Sequence, residues 1–259
     1  MNVSAFYDDV WQRFGELDAK SPAAFHRRRL VRKLALEFAP RAASGLDAGC
    51  GRGELLRELE RALPGALVSG ADVSSESRRQ AKQRCPSAEV FELDLQAADF
   101  ESAQAARIER FDLVVCSEVL EHLPDDALAV SRLKRLLSPS GVMIVTVPGG
   151  KKSRFDELIG HLRHYGKREL SLLFTTQGLR SELLWAWGFP FHNAYRTAVR
   201  VASRFAFSQP GPTATPGSRS PIETWLARGY ELCGRALLPL YYANRPYWGE
   251  QLIAVVRRA

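Results

Sequence analysis

The chain lacks any apolar run long enough to cross a bilayer. Its longest, Phe111 to Cys116 and Val142 to Val147, fall far short of the roughly 20 residues a transmembrane helix needs, so no membrane span is expected. Nor do the first residues read as a secretory leader. Residues 1–20 carry Asp8, Asp9, Glu16 and Asp18 where a leader would begin basic and continue apolar, and a cytoplasmic protein is expected. Paired cysteines are also absent. Cys50, Cys85, Cys116 and Cys233 stand far apart with no C-x-x-C among them, which argues against a zinc site or disulfide framework and for reduced thiols.

What is present is ordinary for a globular protein: 259 residues, 46% hydrophobic and 25% charged, enough for one elaborated domain. The formal charge of +7 is unevenly spread. Residues 151–259 hold 16 lysines and arginines against 7 acidic residues, a net +9, while residues 1–150 hold 20 against 22, a net −2. A local positive field favours an anionic acceptor or contact with an acidic membrane surface. Nucleic acid is a weaker expectation, because no RNA-binding module is recognisable.

Short apolar stretches alternate with amphipathic ones, the pattern of βαβ units around a mostly parallel sheet. Strands are predicted near Gly45 to Ala48, Leu67 to Ala71, Glu89 to Glu92, Phe111 to Cys116, Gly141 to Val147, Leu183 to Trp187 and Gln251 to Val256. Helices are predicted over Glu54 to Leu63, Ser75 to Arg84, Asp125 to Leu137 and Lys167 to Thr176. A leading helix, Pro22 to Phe38, has Phe25, Leu30, Leu34 and Phe38 at helical spacing and His26, Arg27, Arg28, Arg29, Arg32 and Lys33 as a basic face. The expected organisation is a helical lead over 1–43, a core over 44–187, an insertion or cap over 188–249 and a last core strand over 250–259. Within the cap, the Pro/Gly/Ser/Thr tract 208–221 is too polar to bury a core and is expected to be mobile. Arg196, Arg200 and Arg204 recur every four residues and are expected to form a solvated basic helix face.

The strongest local signal is Leu46-Asp-Ala-Gly-Cys-Gly-Arg-Gly-Glu54, a strand running into a G-x-G-x-G turn and then a helix. The free N–H groups of a helix start suit a carboxylate as well as a phosphate. Glu54 stands where a dinucleotide fingerprint needs Gly or Ala, and no Gly-Lys-Ser/Thr follows, so the NAD and P-loop readings fail. Asp72, in Gly70-Ala-Asp-Val-Ser74, and Asp94, in Glu92-Leu-Asp-Leu95, fall at the ends of the next two strands. Ligands of open α/β sheets bind there, and carboxylates there meet ribose and adenine.

Together LDAGCGRG, GADVS, ELDL, FDLVVCSEVLEHL and LLSPSGVMIVTVP resemble the motifs of the class I S-adenosylmethionine-dependent methyltransferases, in register over roughly residues 44–148. The resemblance implies a Rossmann-like, doubly wound seven-stranded α/β sheet of order 3-2-1-4-5-7-6 with the seventh strand antiparallel, carrying a C-terminal insertion or cap. It implies S-adenosylmethionine as cofactor, with Asp47 beneath the glycine loop, Gly49, Gly51 and Gly53 around the methionine part, and Asp72 with Val73 on the ribose. Asp94 and Leu95 would lie near adenine, and Ser117 beside the sulfonium.

The implied function is methyl transfer, most simply to a hydroxyl of a small molecule or glycan. An imidazole accepts a proton near neutral pH, so His122 and His161 are the expected base or substrate-positioning pair, with His164 third. Glu118-Val-Leu-Glu-His122 also resembles the E-x-x-E-H of metal-dependent methyltransferases that modify the 2′-hydroxyl at the 3′ end of small RNAs. Under that alternative Glu118, Glu121, His122 and His161 would hold a divalent cation. Otherwise no metal is expected. A non-catalytic protein that binds S-adenosylmethionine is the third reading. The (D/N)PP(Y/F) pattern of amino-group methylation is absent, and the acceptor and the oligomeric state are left open.

Overall fold

The computed structural model describes residues 4–10, 21–206, 239, 243 and 248–259, with backbone alone at 199 and 202–206. The tract 208–221 and Cys233 lie outside the described residues. Helical residues 4–10 (α1) precede α2 (Pro22–Phe38), β1 (Ser44–Ala48), α3 (Glu54–Ala62), β2 (Leu67–Asp72), α4 (Ser75–Arg84) and β3 (Val90–Glu92). Then follow α5 (Phe100–Ala103), β4 (Phe111–Ser117), α6 (Asp126–Leu136), β5 (Leu137–Pro148) and α7 (Arg154–Leu158). Helix α8 (Lys167–Thr176), β6 (Leu179–Trp187), α9 (Phe191–Ala206) and β7 (Gln251–Arg258) complete the chain.

The seven strands form one sheet in the order β3-β2-β1-β4-β5-β7-β6. Strands β1 to β5 pair in parallel, and β7 runs antiparallel between β5 and β6. Strand β4 and residues Val142 to Val147 of β5 are largely apolar because both sheet faces are covered by helices. On one face Leu133, Leu136 and Phe174 pack against Val114, Cys116 and Val145; on the other, Val31, Leu34, Leu56 and Leu59 pack against Leu113, Val115 and Ile144. The C-terminal ends of β1, β2 and β4 thereby open onto one edge.

Three expectations are corrected. Strand β5 starts at Leu137, four residues before Gly141, because a register shift between Phe111 and Leu113 lets β4 pair with the kinked start of its neighbour. Helix α2 buries Ala24, Val31, Leu34 and Ala35 and leaves Phe25 exposed, so its stripe is rotated toward the small residues. His26 and Arg28 consequently face inward, the first against the Trp187 ring and the second on Glu58 at 2.9 Å. Nor is the α9 arginine stripe solvated: Arg196 bonds Asp156 and Arg200 bonds Glu250. The Arg204 side chain lies outside the described residues. Cys50, Cys85 and Cys116 are buried and unbridged. Among the described residues no helix is long and apolar enough to cross a membrane.

Candidate active site

Between β1 and α3 the chain doubles back over the end of β2. The N–H groups of Gly49 and Cys50 both donate to the carbonyl of Ala71, at 2.7 and 2.9 Å. Gly49 and Gly53 adopt φ values of 79° and 81°, which side chains rarely tolerate. Space is as restrictive as angle. A Cβ on Gly49 would collide with Val119, and one on Gly53 would lie 3.0 Å from the Cα of Ala81 on α4.

Two buried carboxylates lie under this loop. Asp72, the last residue of β2, accepts from the N–H of Gly51 on one oxygen and of Ser74 on the other, both at 2.9 Å. Burial still raises its carboxyl above the ordinary range, against those donors. Asp47 is 1% exposed and its Oδ2 has no hydrogen-bond partner. Burial, helped by the charge of Asp72, pushes its carboxyl up to about 7. Beyond β3, Asp94 accepts from the N–H of Gln96 at 2.7 Å. The Leu95 carbonyl receives Arg132 and the Val73 carbonyl receives Arg78.

A further wall was not foreseen from sequence. On α1, Asp8 accepts from the Ser74 hydroxyl at 2.5 Å and from the Glu76 N–H at 3.3 Å. Tyr7 sets its ring edge-on to His122 at 5.6 Å between centroids. Phe6 reaches within 2.8 Å of where a Cβ on Gly160 would sit. The helix thus touches three separate loops, and nothing in Phe6-Tyr7-Asp8 marks it as a motif.

At the end of β4 the Ser117 hydroxyl lies 2.8 Å from that of Thr146 on β5. Glu118 follows at φ 57°, an unfavourable value for a side chain that such sites tolerate. That turn aims its carboxylate at the Thr146 hydroxyl, 3.0 Å away, and at Arg27, 3.4 Å away. Glu121 is wholly buried, and neither carboxylate oxygen has a hydrogen-bond partner. Burial, with Glu118 nearby, drives its carboxyl well above the ordinary range. His122 and His161 each place Nε2 3.9 Å from Glu121 Oε1, with ring centroids 4.7 Å apart. Burial lowers His122 to about 4 and, with the neighbouring imidazole, His161 to about 2. Both are neutral at physiological pH.

Behind His161 stands His164, Nδ1 to Nε2 3.1 Å, and behind both stands Asp156. Burial alone would raise Asp156, but Arg196 and the Ser153 donors outweigh it and hold the carboxyl below its usual value. The fold therefore brings together all three histidines singled out from sequence.

The donor set implied for a metal assembles only in part. Glu121, His122 and His161 offer ligand atoms within 4.8 Å of one another, and Asp156, His161 and His164 form a second such group, whereas Glu118 is committed elsewhere. The cofactor site passes its own test. An unpartnered buried carboxylate oxygen on Asp47 calls for a cation or donor, and the turn above it presents backbone with no side chain in the way.

Residues 23–191 match the family model described as "Methyltransferase domain". Over 131 residues the chain is 34% identical to the ubiquinone biosynthesis O-methyltransferase of Actinobacillus pleuropneumoniae, covering 46% of this chain and 54% of that one. It is 37% identical over 107 residues to the trans-aconitate 2-methyltransferase of Azoarcus, covering 41% and 40%. The chain thus spans about half the length of the curated relatives it matches. A putative sarcosine dimethylglycine methyltransferase from Galdieria sulphuraria superimposes with a TM-score of 0.59 over 92% of this chain and 87% of that one, at 16% identity, which shows the shared fold. The chain belongs to the methyltransferase-domain family, within the class I S-adenosylmethionine-dependent methyltransferases.

Proposed function

We propose that the chain methylates a hydroxyl group of a small molecule or glycan. The observation that carries this reading is the meeting of His122, just past β4, and His161, just past α7, both held neutral by burial. When bound, S-adenosylmethionine supplies a methyl group on a sulfonium, a leaving group that needs no protonation. The protein's tasks are orientation and removal of the acceptor's proton.

Asp47 receives the cofactor's ammonium on its unpartnered Oδ2, and Gly49, Gly51 and Gly53 line the methionine part. Asp72 and Val73 face the ribose, Asp94 and Leu95 the adenine, and Ser117 the sulfonium end. His122 and His161 meet the acceptor hydroxyl, where a positioned base contributes roughly 10²–10⁴-fold. The test is transfer of a radiolabelled methyl group from S-adenosylmethionine to a panel of phenols, hydroxy acids and sugars. Transfer to oxygen in the wild type, reduced at least 100-fold in His161→Ala, supports the proposal. Transfer to nitrogen or carbon alone overturns it.

One observation favours a second reading of the same site, the buried Glu121 carboxylate with both oxygens unpartnered. Glu121, His122 and His161 would hold a divalent cation, which supplies Lewis acidity to an acceptor oxygen. Calorimetric titration of the purified chain with Mn²⁺ or Zn²⁺ tests it, with Glu121→Gln as control. Absence of a saturable heat in the wild type rejects this reading.

A further inference from the structure

His164 donates to a carbonyl, and that single bond determines which atoms of its neighbour carry protons. The Nδ1 of His164 lies 3.3 Å from the Gly150 carbonyl oxygen. A carbonyl only accepts, so His164 Nδ1 bears a hydrogen. In a neutral imidazole the other nitrogen is then a lone pair. That nitrogen, Nε2, lies 3.1 Å from His161 Nδ1, which must therefore be the donor. His161 in turn has its lone pair on Nε2, the atom that faces Glu121 at 3.9 Å.

The surroundings keep this arrangement in place. Both rings are buried beside Asp156, with His122 and Glu121 on the far side of His161. Asp156 lies 3.9 Å from His161 Nδ1 and 3.8 Å from His164 Nε2, too far for a hydrogen bond, and its oxygens accept two bonds from Arg196 and those of the N–H and hydroxyl of Ser153. It backs the pair without competing for its hydrogen. Lys152 fixes the loop by donating to the carbonyls of His161 and Leu162.

We infer that His164 is a positioning residue that locks His161 in its Nδ1–H tautomer, so that Nε2, on the side of Glu121 and His122, offers an acceptor hydroxyl a lone pair and not an N–H. Resting on the hydroxyl-acceptor reading, this deepens it. The site takes acceptors that arrive as hydrogen-bond donors, free hydroxyls or phenols, and turns away their methyl ethers, which have no hydrogen to offer. The same step rejects the product, because methylation removes the donor that His161 recognises.

Long-range ¹H–¹⁵N correlation spectra of the full chain, labelled with ¹⁵N-histidine and recorded near pH 7.5, test it. Nδ1 of His161 is expected to be protonated and Nε2 unprotonated. His164→Gln keeps an acceptor oxygen near the Nε2 position and preserves that pattern, whereas His164→Leu lets the tautomers mix. A protonated Nε2 in the wild type, or an unchanged pattern in His164→Leu, overturns the inference. Failure to methylate any hydroxyl while the tautomer is as expected would count against the acceptor reading and leave the tautomer lock standing.

Discussion

Arg196 clasps Asp156 with two hydrogen bonds of 2.8 and 3.0 Å, joining α9 to the segment that carries His161 and His164. Asp156 is 1% exposed, so losing the guanidinium strands a buried charge. Arg196→Ala is expected to cost about 3–5 kcal/mol of stability, as for other broken buried pairs. Combining it with Asp156→Asn removes the charge and costs less than the two single changes added together. Urea denaturation of the three variants measures this; strictly additive losses would refute a direct coupling.

Asp47 couples cofactor affinity to pH. Burial pushes its carboxyl up to about 7, and an ammonium partner binds the ionised form. Affinity is therefore expected to rise with pH up to about 7 and then level off, with a proton released on binding below that point. Asp47→Asn should weaken binding roughly 10- to 150-fold, the worth of one charge-assisted hydrogen bond. A buried acid raised this far costs stability once the pH exceeds its ordinary value, in full above about 7, on the order of 4 kcal/mol. The same substitution should accordingly stabilise the empty protein at pH 8. Titration calorimetry with S-adenosylhomocysteine in buffers of different ionisation enthalpy checks the first part, and thermal melts the second.

The glycine loop and Asp72 were legible because each depends on neighbours in sequence: a turn that needs glycine, or a strand that ends on a carboxylate; the sheet order, a long-range property, followed only from the family resemblance. Glu118 misleads for the same reason. A spacing of three suggests one helix face shared with Glu121, yet Glu118 precedes the one-turn 3-10 helix Leu120–His122 and its φ of 57° turns it toward Arg27. Periodicity also identifies the α9 stripe without its partners, since Asp156 and Glu250 lie 40 and 50 residues from the arginines they bind. Tyr7 and Asp8 carry no pattern at all. Their position follows from the tertiary fold.

The buried histidines make the fold acid-sensitive. His26 and His122 titrate near 4, His192 near 3 and His161 near 2, in each case chiefly because burial disfavours the charged ring. The unfolded chain protonates the same residues near 6.5. The stability held by these four rings is complete above that value and falls as the pH drops from 6.5 toward 4, at a slope near pH 5 on the order of 5 kcal/mol per pH unit, partly offset by the raised carboxyls of Asp47 and Glu121, which gain stability as the pH falls. Urea midpoints at pH 7.5, 6 and 5 are expected to fall steeply, and midpoints that stayed level would contradict the neutral, buried state of these rings.

Asp8 ties α1 to the loop that begins α4, through the Ser74 hydroxyl and the Glu76 N–H, one residue beyond Asp72 and Val73. Removing its carboxylate in Asp8→Ala leaves the sheet and both core clusters untouched, so global stability should change by less than about 1 kcal/mol. Cofactor affinity should suffer more. With its anchor gone, α1 no longer holds Tyr7 against His122 or shields the space between Asp72 and Glu121 from water, and a loss of about 1–2 kcal/mol, some 5- to 30-fold in Kd, is expected. Calorimetry with S-adenosylhomocysteine decides the matter: an unchanged Kd alongside an unchanged melting temperature would mean that α1 rests on the site without forming part of it.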